Sequence, residues 1–216
     1  MLHWNRSYDL FSTTLSTSVW TRRNGSTNPL TSGGILTTNT STGFFPAEYV
    51  AVRTSGPDQY MSATIGALHS GTSGGSPSAL VLRSPNSATS GTVAVLLVKN
   101  AQIGIYTMTS WAAAGLTARA PYANANGGAN LDIGGKVEFF VLNNTYYGLY
   151  QGSVVVSWED TGLIVNQAAR YGAVVIQRAS DGSATGQMGF DNFTFGDLRP
   201  TDIANPQQAV ARSSSF

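Results

Sequence analysis

A chain of 216 residues with a formal net charge of +1 and only 11% charged residues lacks the concentrated basic surface that phosphate backbones require, which argues against a nucleic-acid binder. Without cysteine it forms no disulfide, no thiolate nucleophile and no Cys-ligated zinc site. No apolar run approaches the roughly 20 residues that cross a bilayer as a helix, and the opening MLHWNRSYDLF lacks the apolar region of a signal peptide, so neither membrane insertion nor a leader is expected.

The 42% hydrophobic content and 24 glycines describe a globular chain long enough for one large core, with no linker in its middle. Taken in order, residues 8–23 open with Tyr8, Leu10 and Phe11, cross a Ser/Thr stretch and reach Val19-Trp20. Residues 25–29 are a turn cluster and 33–38 a brief strand. Residues 48–53 alternate Tyr49, Ala51 and Arg53 against Val50 and Val52, which predicts a strand. Ser55-Gly56-Pro57-Asp58 ends it in a turn. The strand predicted over 59–65 sets Tyr60, Ser62 and Thr64 against Met61, Ala63 and Ile65. Residues 70–78, SGTSGGSPS, are a loop without an apolar anchor. A meander follows at 79–84, 92–99 and 102–108, whose middle strand is apolar enough for the centre of a sheet.

Residues 111–130 are the least regular. Ala112-Ala113-Ala114 allows one helical turn before Gly115 and Pro121 limit it, and 124–130, NANGGAN, is loop. The clearest stretch is 136–160, three strands joined by tight turns at Asn143-Asn144 and Gln151-Gly152. Its first strand alternates Val137, Phe139 and Val141 with Lys136 and Glu138. Its third sets Val154, Val156 and Trp158 against Ser153 and Ser157. Further strands are predicted at 172–178 and 189–198, separated by a turn at 180–186. Such a meander has one apolar face and needs a second layer to cover it. Eleven to thirteen short strands with almost no helix predict an all-β, antiparallel two-sheet β-sandwich. It spans 8–198, with an N-terminal arm at 1–7 and an extended C-terminal arm at 199–216.

Two segments carry a resemblance. Leu149, Tyr150, Gly152, Val154, Val155 and Asp160, followed by Asp191-Asn192-Phe193, match motifs of the concanavalin A-like lectin/glucanase jelly roll in its laminin-G-like variants. Residues 47–66 and Leu80-Val81-Leu82-Arg83 also resemble the early strands of that group, so the likeness covers 8–198. Similar domains occur in minor tail proteins of phages infecting actinobacteria. The resemblance implies a non-enzymatic virion protein, associated with the tail or tail tip, that takes part in binding host-surface glycan. A head-decoration or head-fibre protein, a free lectin-like module and a polysaccharide depolymerase are the alternatives. Low charge fits the first reading, because the surface must then be Ser, Thr, Asn, Gln and Gly.

The residues themselves argue against hydrolysis. A glycosidase needs two carboxylates about 5–5.5 Å apart for retention, or further apart for inversion. No acidic run places two side by side on one face, since Glu159-Asp160 are adjacent and Asp191 and Asp197 stand near opposite ends of a strand. His3 and His69 read as surface histidines, and Arg22-Arg23 as a solvated strand end.

If Phe193 and Phe195 fill the core, alternation turns Asp191 inward. There it would accept backbone N–H bonds from a loop or bind calcium, with Asp160 or Asp181 as partners. Sugar stacking would fall to an aromatic among Tyr106, Trp111, Tyr122, Tyr147 and Tyr150. Trp111 and Tyr122 are preferred because they flank the polar loop that carries Asn124 and Asn126. Leu2 and Trp4 in the first arm, and Ile203, Val210 and Phe216 in the last, are expected to anchor contacts in a homo-oligomer or with other virion proteins.

Overall fold

A computed structural model describes residues 5–11, 15–23, 29–37, 43–69, 77–87, 91–178 and 188–203, and fifteen strands run through them. One sheet has the order β13 (Ser153–Glu159), β12 (Thr145–Tyr150), β11 (Lys136–Leu142), β6 (Gln59–Ala67), β15 (Gly189–Asp197), β4 (Ile35–Thr37) and β3 (Leu30–Ser32). An eighth strand, β1 (Arg6–Asp9), also pairs with β15. The seven-stranded sheet runs β10 (Leu116–Asn124), β9 (Gln102–Met108), β8 (Val93–Val98), β7 (Ser78–Ser84), β14 (Tyr171–Arg178), β5 (Gly43–Tyr49) and β2 (Trp20–Arg22). Pairing is antiparallel throughout. This is the two-layer sandwich that the alternating pattern requires.

The layers meet on their alternating apolar sides. Met61, Ala63, Ile65, Val137, Phe139 and Val141 from the larger sheet face Leu80, Leu82, Leu96, Val98, Ile105 and Val174 from the smaller. Each such large aliphatic or aromatic side chain withdrawn from water stabilises the fold by about 1.5–3 kcal/mol. Asn143 and Asn144 have φ of 48° and 67°, and Gln151 and Gly152 have 50° and 74°. Both loops therefore take the doubly left-handed turn that matches strand twist.

Every residue of β8 is buried. Ala94, Leu96 and Val98 enter the central core, while Val93, Val95 and Leu97 join a second cluster with Ala79, Val81, Ala173 and Val175 on the far side of the same sheet.

Several expectations are corrected. The strand predicted over 48–53 lies earlier, as β5, and ends at Tyr49. Residues 116–124, read as irregular, form edge strand β10, with register shifts between Ala118 and Ala120 and between Ala120 and Ala123. An edge tolerates Pro121, which has no N–H to give.

In β13 the pairing jumps from Gly148↔Val156 to Leu149↔Val154, so Val155 is an extra, bulged residue. Val154 is thereby turned to the outer face, beside Tyr60, Phe140 and Leu149, and away from Val156 and Trp158. Strand pairing also starts earlier than the predicted domain edge, since Arg6 and Ser7 pair with Gly196 and Phe195.

Candidate functional site

Trp111 follows β9 and precedes a 3-10 turn at Ala113–Gly115. Its indole is only 5% exposed and packs on the Val81, Val95 and Met108 cluster, with Nε1 donating to the Ser87 carbonyl at 3.3 Å. It is a covering residue of the seven-stranded sheet, so the expected sugar platform is corrected here. Tyr122, on β10, has its ring occupied. Lys99 Nζ stands 4.1 Å from its centroid, and Tyr106 packs against it at 5.4 Å. Burial, with the neighbouring Tyr106 second, pushes the Tyr122 hydroxyl well above the usual phenol range.

Asn124 Oδ1 accepts from Gln102 Nε2 at 3.1 Å, and Asn126 Nδ2 donates to Asn130 O at 2.7 Å. Trp111 stands before β10 while Asn124 and Asn126 stand at and beyond its far end, so the four do not assemble a free aromatic face. Of the other candidates, Tyr147 stacks on Phe140 at 4.9 Å, and Tyr150 is buried with its hydroxyl bonded to Asp132.

The carboxylates are engaged one by one. Asp9 accepts from Phe11 N and Trp20 Nε1, both at 2.7 Å. Asp197, 2% exposed, accepts from Asn5 N at 2.6 Å and Ser55 N at 2.7 Å. Asp160, equally buried, accepts from Ile164 N at 3.0 Å and Val165 N at 2.9 Å. Glu138 takes the Tyr60 hydroxyl at 2.6 Å and Lys136 Nζ at 2.8 Å. Asp58 accepts from Asn143 N, Asp132 from the Tyr150 hydroxyl, and Asp202 from Arg6 and Arg199 N. Glu48 is held by Arg23, Ser84 and Asn86 N. Among the described residues no three His, Asp or Glu side chains gather as a metal site.

Asp191 does not point inward. Register advances three residues on β15, from Asp191 to Thr194, against two on β6, and Asn192 sits at φ 48°. The extra residue puts Phe190 and Phe193 in the core, while Asp191 stays outside and accepts from the Asn192 N–H at 2.6 Å. The loop-bracing role expected of it belongs to Asp160 and Asp197; Asp181 lies outside the described residues.

His69 is buried, not superficial, and its backbone exchanges two hydrogen bonds with the Asn100 side chain. Arg22 is exposed, whereas Arg23 is the ionic partner of buried Glu48. Ile203 packs on this chain's own Tyr60, Phe140 and Leu198 cluster, an intramolecular contact. His3, Leu2, Trp4, Val210 and Phe216 lie outside the described residues.

No family model matches the chain and no curated protein is similar to it in sequence. Solved structures do match. A prokaryotic β-1,3-1,4-glucanase (lichenase) derived from a mouse hindgut metagenome superposes with a TM-score of 0.59 at 12% identity, over 89% of this chain and 98% of the other. The carbohydrate recognition domain of Emp46p gives 0.57 at 12% identity, over 90% and 98%. The CBM2 module of the evolved Dit of Lactobacillus casei BL23 phage J-1 gives 0.52 at 10% identity, over 92% and 99%. This chain has the fold of a concanavalin A-like jelly roll.

The two outer faces of the jelly roll differ. That of the seven-stranded sheet is small, aliphatic and covered by Trp111, Leu116, Phe44 and the Tyr106–Tyr122 pair. That of the eight-stranded sheet is mixed. One cross-strand row reads Gly196, Tyr60, Phe140, Tyr147, and the next reads Tyr8, Thr194, Ser62, Glu138, Leu149. Tyr8 stands 71% exposed in the second row, and Asn192 reaches Thr64 Oγ1 at 3.2 Å beside it.

Sequence reasoning missed a column of four side chains that joins the sheets of the jelly roll. The Arg83 guanidinium lies 5.4 Å from the Tyr146 ring, Tyr146 stacks on Trp158 at 5.2 Å and 17°, and Arg119 lies 5.6 Å from the other ring of that pair, Trp158. Nothing in their spacing along the chain announces it. The one available signal was Arg83 itself, a cation inside the run SALVLRS.

Proposed function

We propose that this chain is a non-enzymatic structural module of a bacteriophage particle, associated with the tail or tail tip, that contributes to binding host-surface glycan. The observation that carries the non-enzymatic part is the commitment of the carboxylates. Among the described acids only Glu159, exposed at the end of β13, is not bound to a structural partner. A glycosidase of either stereochemistry needs two that face each other across the scissile bond, whereas each bound acid here turns to its own set of donors. The covered face of the seven-stranded sheet offers aliphatic side chains instead.

Support for a carbohydrate-binding role on a phage particle comes from the fold shared with the CBM2 module of the phage J-1 Dit and with the Emp46p carbohydrate recognition domain. Tyr8 and Asn192, exposed on the outer side of the eight-stranded sheet beside half-buried Thr64 and Thr194, supply the ring, amide and hydroxyls that a saccharide contacts. A glycan array, with the bound sugars then incubated with the protein and assayed for released reducing ends, tests the reading. Saturable binding weakened tenfold or more by Tyr8→Ala, without product release, is expected. Turnover, or no binding to any bacterial surface glycan, overturns it.

A further inference from the structure

Arg83 has no exposed surface and yet no described carboxylate pairs with it. Register between β7 and β14 advances three residues on β7, from Val81 to Ser84, against two on β14. The bulge holds Arg83 at φ 56°, a left-handed conformation that bulky side chains avoid. It turns Ser84 to the outer face, where Ser84 meets Glu48, and sends the guanidinium into the end of the sandwich. Nη2 donates to Asn144 Oδ1 at 3.2 Å and Pro57 O at 3.4 Å. Nε and Nη1 have no partner, and the adjacent Tyr146 hydroxyl makes no well-formed hydrogen bond.

Two features that ordinarily destabilise a fold thus coincide at one side chain: left-handed backbone and a buried charge without a counter-ion. Two further cations, Arg170 and Arg53, and two carboxylates, Asp197 and Asp160, stand around this end, so positive charge remains in excess by one. Burial, then the charges of Arg83 and Arg53, lower Arg170 from the usual guanidinium range, with Asp197 opposing. Both oxygens of Asp197 and of the nearby Asp160 are already taken by backbone N–H groups. Arg53 is exposed, Arg170 half-buried and Arg83 fully buried, a gradient from solvent to the sandwich end. Gln167, on the loop that carries Arg170, adds another buried amide nitrogen without a partner.

We propose that the Arg83 end of the sandwich is an anion-binding site for an oxyanion or carboxylate, with Arg83 and Tyr146 as its buried donors and Arg170 and Arg53 as cations nearer solvent. The shared chemistry is a small group carrying negatively charged oxygen, free in solution or borne by an acidic sugar. The inference stands apart from the glycan reading, because an inorganic ion can fill the site whether or not a glycan binds elsewhere.

Calorimetric titration of the full chain with inorganic phosphate, with glucuronate and with glucose tests it. Saturable heat with phosphate or glucuronate and none with glucose is expected. Phosphate alone identifies a free ion, and tighter glucuronate binding identifies an acidic sugar. Arg83→Met should abolish the signal without lowering the melting temperature, since it deletes an unpaired buried charge. Arg170→Gln, closer to solvent, should weaken affinity at least fivefold and carries the test should the first variant not fold. No saturable heat with either anion, or binding unchanged in these variants, overturns the site and leaves water as the partner of the Arg83 donors.

Discussion

Nε of Arg23 donates to Glu48 Oε2 at 2.7 Å, and that carboxylate has no exposed surface. Arg23 follows β2 and Glu48 lies on β5, so the pair fastens the seven-stranded sheet at its last two strands. Ser84 and Asn86 N complete the shell of Glu48. Removing Arg23 leaves a buried charge that only Ser84 and Asn86 N still hold and that no cation balances. Arg23→Met should therefore cost about 3–5 kcal/mol in urea unfolding. Arg23→Met combined with Glu48→Gln should recover much of it. A loss below about 1 kcal/mol for the single change would show the pair to be worth no more than a surface ion pair.

Trp111 distinguishes packing from recognition. Its indole covers Val81, Val95 and Met108, so Trp111→Ala should lower stability by about 3–5 kcal/mol. Glycan binding per folded molecule should stay unchanged. Chemical denaturation alongside binding measured well below the unfolding midpoint separates the two. Normal stability with lost binding would restore Trp111 as a ligand platform.

The buried tyrosines should make the fold alkali-sensitive. Burial is the first cause that raises Tyr49, Tyr60, Tyr122 and Tyr146 above 10.0, the ordinary value. The folded chain keeps these protons after the unfolded chain has released them. Stability is accordingly intact below pH of about 10 and falls as pH rises, by up to about 1.4 kcal/mol per pH unit for each group. Lys136 acts in the same direction. Burial opposes its charge, but hydrogen bonds to Glu138 and Tyr60 outweigh that and raise it. Tyr146→Phe removes a hydroxyl without a well-formed bond, so it should leave stability at pH 7 within about 1 kcal/mol. It should also flatten the alkaline limb, read by fluorescence-detected unfolding between pH 8 and about 11.5. An unchanged limb would place the proton uptake elsewhere.

Asp160 organises the loop after β13. Its two oxygens hold Ile164 N and Val165 N, which presents Leu163 and Ile164 to solvent at 57% and 42% exposure while Val165 enters the core. Asp160→Ala should cost about 1–3 kcal/mol and speed proteolysis within residues 161–165. Equal cleavage rates in both proteins would mean that Val165 alone fixes the loop.

Period-two patterning was a sound guide wherever the ladder is regular. It fixes the opposite orientations of Met61 and Ser62, the two hairpins of 136–160, and the burial of β8 on both faces. It fails where a bulge adds a residue. Val154, Asp191 and Arg83 all take the face opposite to the one that simple counting assigns, because one unpaired residue reverses every side chain beyond it.

Burial of Trp111 and His69 was illegible for another reason. A loop folded onto a sheet from outside leaves no periodicity in its own sequence. The Arg83 end was hidden for both reasons, since a bulge aims the side chain and the loops at Pro57 and Asn144 meet its guanidinium.

β1 and β15 run antiparallel with Asn5 against Asp197, whose N–H donates to the Asn5 carbonyl at 2.7 Å. Gly196 lets them approach; a Cβ there would sit 2.6 Å from Arg6 Cα. Arg6 also bonds to Asp202, just past the last strand. Residues 5 and 203, the first and last described, therefore stand at one corner. Tension applied through those two residues loads the β1–β15 ladder rung by rung, as a zipper, and not all rungs together. Spliced into a larger protein, such a body would hang to one side of its host and add little distance between the flanking segments.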